Sequence, residues 1–110
     1  MSDVAGKDTG KAAINVPPQA TADIIRLDDF LWVQNDPLAG DLYTYLIKAL
    51  RLLERQSGIG RPLGEDLREL IIDRGRSGYL ARYQYRRDSK LVTVLHIRHQ
   101  SESGYTLDEI

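Results

Sequence analysis

Residues 77–100 read S-G-Y-L-A-R-Y-Q-Y-R-R-D-S-K-L-V-T-V-L-H-I-R-H-Q. Gly78–Arg86 and Leu91–His99 are proline-free runs dominated by Tyr, Val, Ile, Thr and Leu, with Arg87-Asp88-Ser89-Lys90 between them. Such side chains suit a pleated, half-buried surface, so the stretch predicts a β-hairpin. Its register follows from charge. Successive strand residues point to opposite faces, so the parity of the connection decides which sets share a face. An even loop would set Arg82 and Gln84 beside Leu91, Leu95 and Ile97. An odd loop, Arg87–Ser89, groups the tyrosines with Leu95 and Ile97 and leaves Arg82, Gln84, Arg86, His96 and Arg98 together on the other face. Burying an unpaired guanidinium is the costlier outcome, so the odd loop is expected.

Outward from the hairpin, 110 residues suffice for one domain with a single core. Apolar content of 42% and charged content of 28% are those of an ordinary soluble protein. The absence of cysteine excludes disulfides, zinc–thiolate sites and thiol nucleophiles, and fits a cytoplasmic protein. The opening M-S-D-V-A-G-K-D-T-G-K lacks the apolar core of a signal peptide, and no run has the length of a membrane span. The net charge of −1 hides a segregation: −2 over residues 1–60, +4 over 61–100 and −3 over 101–110. The hairpin half is therefore basic and residues 106–110 form an acidic tail.

Residues 1–11 are small and polar and read as a disordered arm. Ala12–Val16 reads as a short strand stopped by Pro17-Pro18. Ala20, Ile24, Leu27 and Leu31 recur at helical spacing, with Phe30 beside them and Asp23, Arg26, Asp28 and Asp29 mainly opposite. A second helix is expected from an Asp36 N-cap and Pro37, carrying Leu38, Leu42, Leu46, Ala49, Leu50 and Leu53 on one stripe and ending near Gly58. Gly58–Pro62 reads as a turn without the Lys-Ser/Thr of a phosphate loop. Leu67–Asp73 fits a helix or a strand, and its place before the hairpin favours a strand. The order is then β-α-α-β-β-β. The expected fold class is α+β, a helical hairpin packed on a twisted, mainly antiparallel sheet.

That order of elements, with the residues that build it, carries a resemblance. Its carriers are P-Q-A-T-A-D-I-I-R-L-D-D-F-L (18–31), I-G-R-P-L (59–63), D-L-R-E-L-I-I-D (66–73), S-G-Y-L-A-R-Y-Q-Y (77–85) and V-L-H-I-R-H-Q-S-E-S-G-Y (94–105). Over residues 12–105 the chain resembles the toxins of type II toxin–antitoxin (plasmid stabilisation) systems typified by RelE and ParE. The resemblance implies a cytoplasmic growth inhibitor held by a cognate antitoxin in a hetero-oligomer, with neither membrane nor cofactor. RelE-like members cut messenger RNA in the ribosome; ParE-like members poison DNA gyrase. An inactive homologue that only binds antitoxin is a third possibility.

Compared residue by residue, a RelE-like nuclease has an arginine where Leu80 stands, and Arg82 lies two residues on, on the same strand face. Arg98 and His99 stand where the nuclease pattern is basic or His-Tyr, Gln100 follows them, and Tyr105 falls near the tyrosine that stacks on a base. RNA cleavage needs a base, an acid and cationic stabilisation of the phosphorane. Arg82, Arg98, His99 and Tyr105 are the candidates for these roles, and the set is depleted at Leu80. The expectation is therefore ParE-like, with Arg82, Arg86, His96 and Arg98 as a basic surface facing the target. His96 and His99 form H-x-x-H, but in a strand they face opposite ways, so no metal site is expected.

Overall fold

The computed structural model describes residues 10–74 and 77–102. The chain runs β1 (Ala13–Asn15), α1 (Pro18–Val33), α2 (Leu42–Leu50), a 3₁₀ turn (Arg51–Glu54), β2 (Arg61–Gly64), β3 (Leu67–Arg74), β4 (Ser77–Arg86) and β5 (Leu91–His99). The strands form one sheet in the order β1-β5-β4-β3-β2. Only β1, laid beside β5, is parallel; every other pairing is antiparallel. The expected α+β architecture stands, with one strand more than the sequence reading gave. Residues 1–9 of the N-terminal arm, and the acidic tail at 106–110, lie outside the described residues.

The hairpin register is where charge and connection compete, and the structure satisfies both. The loop Arg87–Lys90 holds four residues, with Lys90 left-handed at φ 51°. Near it Arg86 pairs with Leu91, Tyr85 with Val92 and Tyr83 with Val94. Continued unchanged, that even register would set Arg82 against Leu95 and Leu80 against Ile97. Instead the register shifts between Tyr83 and Arg82, so that Arg82 pairs with His96 and Ala81 with Ile97. Leu95 is the extra residue of a β-bulge, so Leu95 and His96 together oppose Arg82. Two expectations are thereby corrected: the loop is even, and Leu95 stands half-buried on the Arg82 face rather than in the core. Val92 and Val94 take the inward places and are fully buried, as are Tyr83 and Ile97.

The bulge lets Ile97 follow Val92 and Val94 inward and turns His96 and Arg98 of β5 out beside Arg82. Inward residues of the sheet, Leu70, Ile72, Tyr79, Ala81, Tyr83, Val92, Val94 and Ile97, meet Ala20, Ile24, Leu27 and Leu31 of α1 in one cluster. The α1 stripe read from spacing is buried as expected, whereas Phe30 is 56% exposed. Leu42, Leu46 and Leu50 of α2, with Leu53 of the turn after it, are at most 1% exposed and complete the core.

The second helix begins at Leu42, not at Pro37. Asp36 does not cap a helix; its Oδ1 accepts the Leu38 N–H at 2.8 Å in an Asx turn. Gly40, at φ 91°, then reverses the chain beneath the Trp32 ring. Its N–H donates to Asp28 Oδ1 at 2.9 Å, so Asp28, on the side of α1 away from its apolar stripe, joins α1 to this reversal. Asp36 also accepts both Nη atoms of Arg74, tying the α1–α2 connection to the end of β3. That guanidinium, and then the Leu38 N–H, hold the Asp36 carboxyl below its ordinary value of 3.8. A depressed folded-state value means stability present above the unfolded pKa and lost as pH falls through the folded one. Asp36→Asn should therefore destabilise at pH 7 and progressively less below about pH 4. Denaturant midpoints across pH 2–7 check this; a wild-type-minus-variant gap independent of pH would contradict it.

The extra strand, β2, is an exposed edge of four residues, R-P-L-G, against the start of β3. Pro62 has no N–H for a further strand, which suits an edge. The turn before it is fixed by Tyr83. Its hydroxyl donates to the Ser57 carbonyl at 2.7 Å and accepts the Gly60 N–H at 2.9 Å. Arg68 Nη1 adds bonds to the carbonyls of Gly58 and Gly60, each at 2.9 Å.

Candidate functional site

The face of the sheet turned away from the core carries one continuous charged row. Arg61, Glu69, Arg82 and His96 are successive partners across β2, β3, β4 and β5. Glu69 is the centre of the row, with only 8% of its side chain exposed. Its Oε1 lies 2.5 Å from Arg61 Nη2 and its Oε2 3.7 Å from Arg82 Nη2. At the far end His96 Nδ1 is 3.8 Å from Asp23 Oδ2, and the same oxygen accepts the Ile97 N–H at 2.9 Å. Asp23 thus closes part of the β5 edge that short β1 leaves open, and links α1 to the bulge.

This row answers the question of like charge. Arginines side by side on a sheet repel unless an anion stands near them. Here the anion is internal, since Glu69 is shared between Arg61 and Arg82. The sequence placed Glu69 only as a member of L-R-E-L-I-I; strand alternation would have put it on the Arg82 face, but nothing in the sequence gave the cross-strand partner. Asp23 was likewise placed only by helical spacing, on the side of α1 away from its apolar stripe.

Beside this row runs a second, Ile71, Leu80 and Arg98, paired across β3, β4 and β5. Ile71 is 54% exposed. Arg82, His96 and Arg98 therefore form one compact group, with Leu80 and Leu95 as its apolar floor. Arg86 does not belong to it. Four residues along β4 from Arg82, it stands about 13 Å away, and Asp66 and Asp88 share its shallow surface pocket at the hairpin loop.

The three nuclease candidates among the described residues, Arg82, Arg98 and His99, are not brought together. Arg82 and Arg98 occupy the outer face. His99 pairs with Tyr79 and shares its side, the two rings meeting edge to face at 5.3 Å and 85°. The Ser101 N–H donates to His99 Nδ1 at 3.0 Å, and Ser101 Oγ stands 2.8 Å from the same atom. A backbone donor at Nδ1 assigns the ring proton of the neutral imidazole to Nε2, which leaves that nitrogen no lone pair for a base. Tyr105 lies outside the described residues. His96 and His99 point to opposite faces, as strand alternation required.

Around His99 the chain turns back on α1. Glu102 Oε1 accepts the His99 N–H at 3.0 Å and its Oε2 meets Arg26 Nη1 at 2.6 Å. Burial alone would raise the Glu102 pKa, but those two partners outweigh it and hold the carboxyl low. Tyr79 and Tyr83 are pushed the other way, up, chiefly by burial, so both hydroxyls keep their protons at neutral pH.

No helix among the described residues is long and apolar enough to cross a membrane. No curated protein matches the chain. A family model does match, that of the ParE toxin of the type II toxin–antitoxin system parDE, over residues 14–104. The match begins within β1, covers both helices and β2 to β5 in full, and runs past the end of β5. The chain belongs to the ParE toxin family of type II toxin–antitoxin systems, and with that membership comes a cognate antitoxin as its partner.

Proposed function

We propose that the chain arrests growth by poisoning DNA gyrase, and that the outer face bearing Arg82, His96 and Arg98 meets the target. The observation that carries the reading is the division of the nuclease candidates between two faces of the sheet. Transition-state stabilisation requires preorganised groups around one reacting centre. Arg82 is committed to Glu69 and His99 faces Tyr79 on the other side, so no single bound phosphate meets both. A binding toxin has no such requirement, and a compact basic group with an apolar floor suits a protein or nucleic-acid surface.

RelE-like cleavage of messenger RNA is the alternative, favoured by one observation: Arg98 stands directly opposite Leu80, where that pattern has its arginine. Expression in cells lacking the antitoxin tests between the two. The expected outcome is growth arrest with induction of the DNA-damage response and intact messages on ribosomes. Prompt message cutting that is lost in Arg98→Ala or Arg82→Ala, without DNA damage, would make the alternative correct.

A further inference from the structure

The charged row on the outer face has an anion built into its centre. The side chains of Arg61 and Arg82 are 61% and 41% exposed, whereas that of Glu69 between them is 8% exposed. Two guanidiniums are thus presented to solvent with the carboxylate set beneath them. At the end of the row a second carboxylate, Asp23, stands 3.8 Å from His96 Nδ1. A phosphate reaching for Arg61 and Arg82 together meets the Glu69 charge within the same contact. Like charge at that range lowers affinity, and Glu69 Oε1 already accepts from the Arg61 Nη2 donor that a phosphate oxygen would take.

The rest of the face also lacks what a nucleic acid strand uses. Bases are held by stacking on aromatic rings. Tyr79 and Tyr83 lie in the core and Tyr85 packs against it, and β3, β4 and β5 contain no other Phe, Tyr or Trp. The open positions beside the row are apolar instead: Ile71 is 54% exposed, and Leu80 and Leu95 are half-buried. Apolar groups bordered by an already neutralised ion pair match the anatomy of a protein–protein contact.

We propose that Glu69 is a specificity-determining residue: it turns phosphate backbones away from the outer face and keeps that face for a protein surface. The proposal rests on the reading that this face meets the target. It assigns the contact to the target's side chains, seated on Ile71, Leu80 and Leu95, and not to its DNA.

The test uses the toxin alone, purified free of antitoxin, with a short fluorescent DNA duplex and no gyrase. Glu69→Gln keeps the shape of the side chain and removes its charge. It should bind the duplex at least tenfold more tightly than wild type at about 50 mM salt. Its plot of log affinity against log salt should steepen by about 1–2, roughly one counterion for each guanidinium released to a phosphate. Both gains should vanish when Arg61→Gln/Arg82→Gln is added. Unchanged affinity in a cooperatively folded Glu69→Gln protein would overturn the proposal, as would a gain that survives loss of the two arginines. A second measurement decides the matter if that variant does not fold. The duplex, titrated into isotope-labelled wild type, should leave the Nε–H resonances of Arg61 and Arg82 in place. Shifts there would put DNA on the wild-type face and overturn the proposal. With gyrase absent from every arm, either result leaves the gyrase reading to its own assay.

Discussion

Leu46→Ala should lower the stability of the protein by ~2–5 kcal/mol. Leu46 is completely buried, at the middle of the α2 stripe formed with Leu42 and Leu50. Its loss removes the transfer free energy of the deleted methyl and methylene groups and leaves a cavity. That cavity cannot collapse easily. α2 is only nine residues long, and is pinned behind by the 3₁₀ turn and in front by the Gly40 reversal held on Asp28. A domain of this size has about 5–15 kcal/mol in total, so the substitution takes a large share of it. Equilibrium denaturant melts measure the loss. An unchanged midpoint would mean that this face of α2 is not core.

The second large effect is expected at Gly60. A Cβ there would stand 2.6 Å from the Tyr83 hydroxyl, 2.8 Å from Tyr83 Cε1 and 3.0 Å from the Glu69 carbonyl. Tyr83 is fully buried and bonded at both its donor and acceptor sides, so it cannot withdraw. Gly60→Ala should cost ~1–3 kcal/mol or more by overpacking. Tyr83→Phe should cost a comparable amount by a different route, since it strands the Gly60 N–H and the Ser57 carbonyl, at ~1–3 kcal/mol for each group left unpaired. The double variant should cost less than the sum, because removing the hydroxyl relieves the shortest contact. It should not restore stability, because the ring edge and the Glu69 carbonyl remain. Strict additivity in a double-mutant cycle would contradict this account of the turn.

The same turn shows what sequence reading can reach. Gly58-Ile59-Gly60 was legible as a turn from its glycines, and its position before β3 was right. That Gly60 is required by a tyrosine 23 residues away, and not by a positive φ, was not legible, because nothing local distinguishes the two uses of glycine. The α1 stripe was legible in full, since sixteen residues give helical periodicity several repeats to declare itself. Asp36-Pro37 was misread because an Asx turn and an N-cap begin with the same residues; only Gly40 downstream separates them.

The hairpin illustrates the limit most clearly. The physical argument, that Arg82 must stay out and Ile97 go in, was correct. Its conclusion about loop parity was not, because V-L-H-I carries no mark of where an extra residue enters. A bulge satisfied the charge argument without an odd loop and moved Leu95 outward. At the outer face, the residue types of a basic surface were legible, while its neutralisation by Glu69 and the separation of Arg86 depended on cross-strand pairing. The division of Arg82 from His99 was implicit in the alternation of the two strands. The role of Ser101 as the partner of His99 was not.

The measurement that tests the account most directly places the purified toxin with gyrase, ATP and supercoiled plasmid, and in parallel with programmed ribosomes carrying a message in the A site. The account predicts linearised plasmid trapped in a covalent gyrase complex after detergent and protease treatment. It also predicts that this product falls at least tenfold in Arg82→Ala/Arg98→Ala, while the message remains whole. Cleaved message with gyrase turning over normally would contradict it.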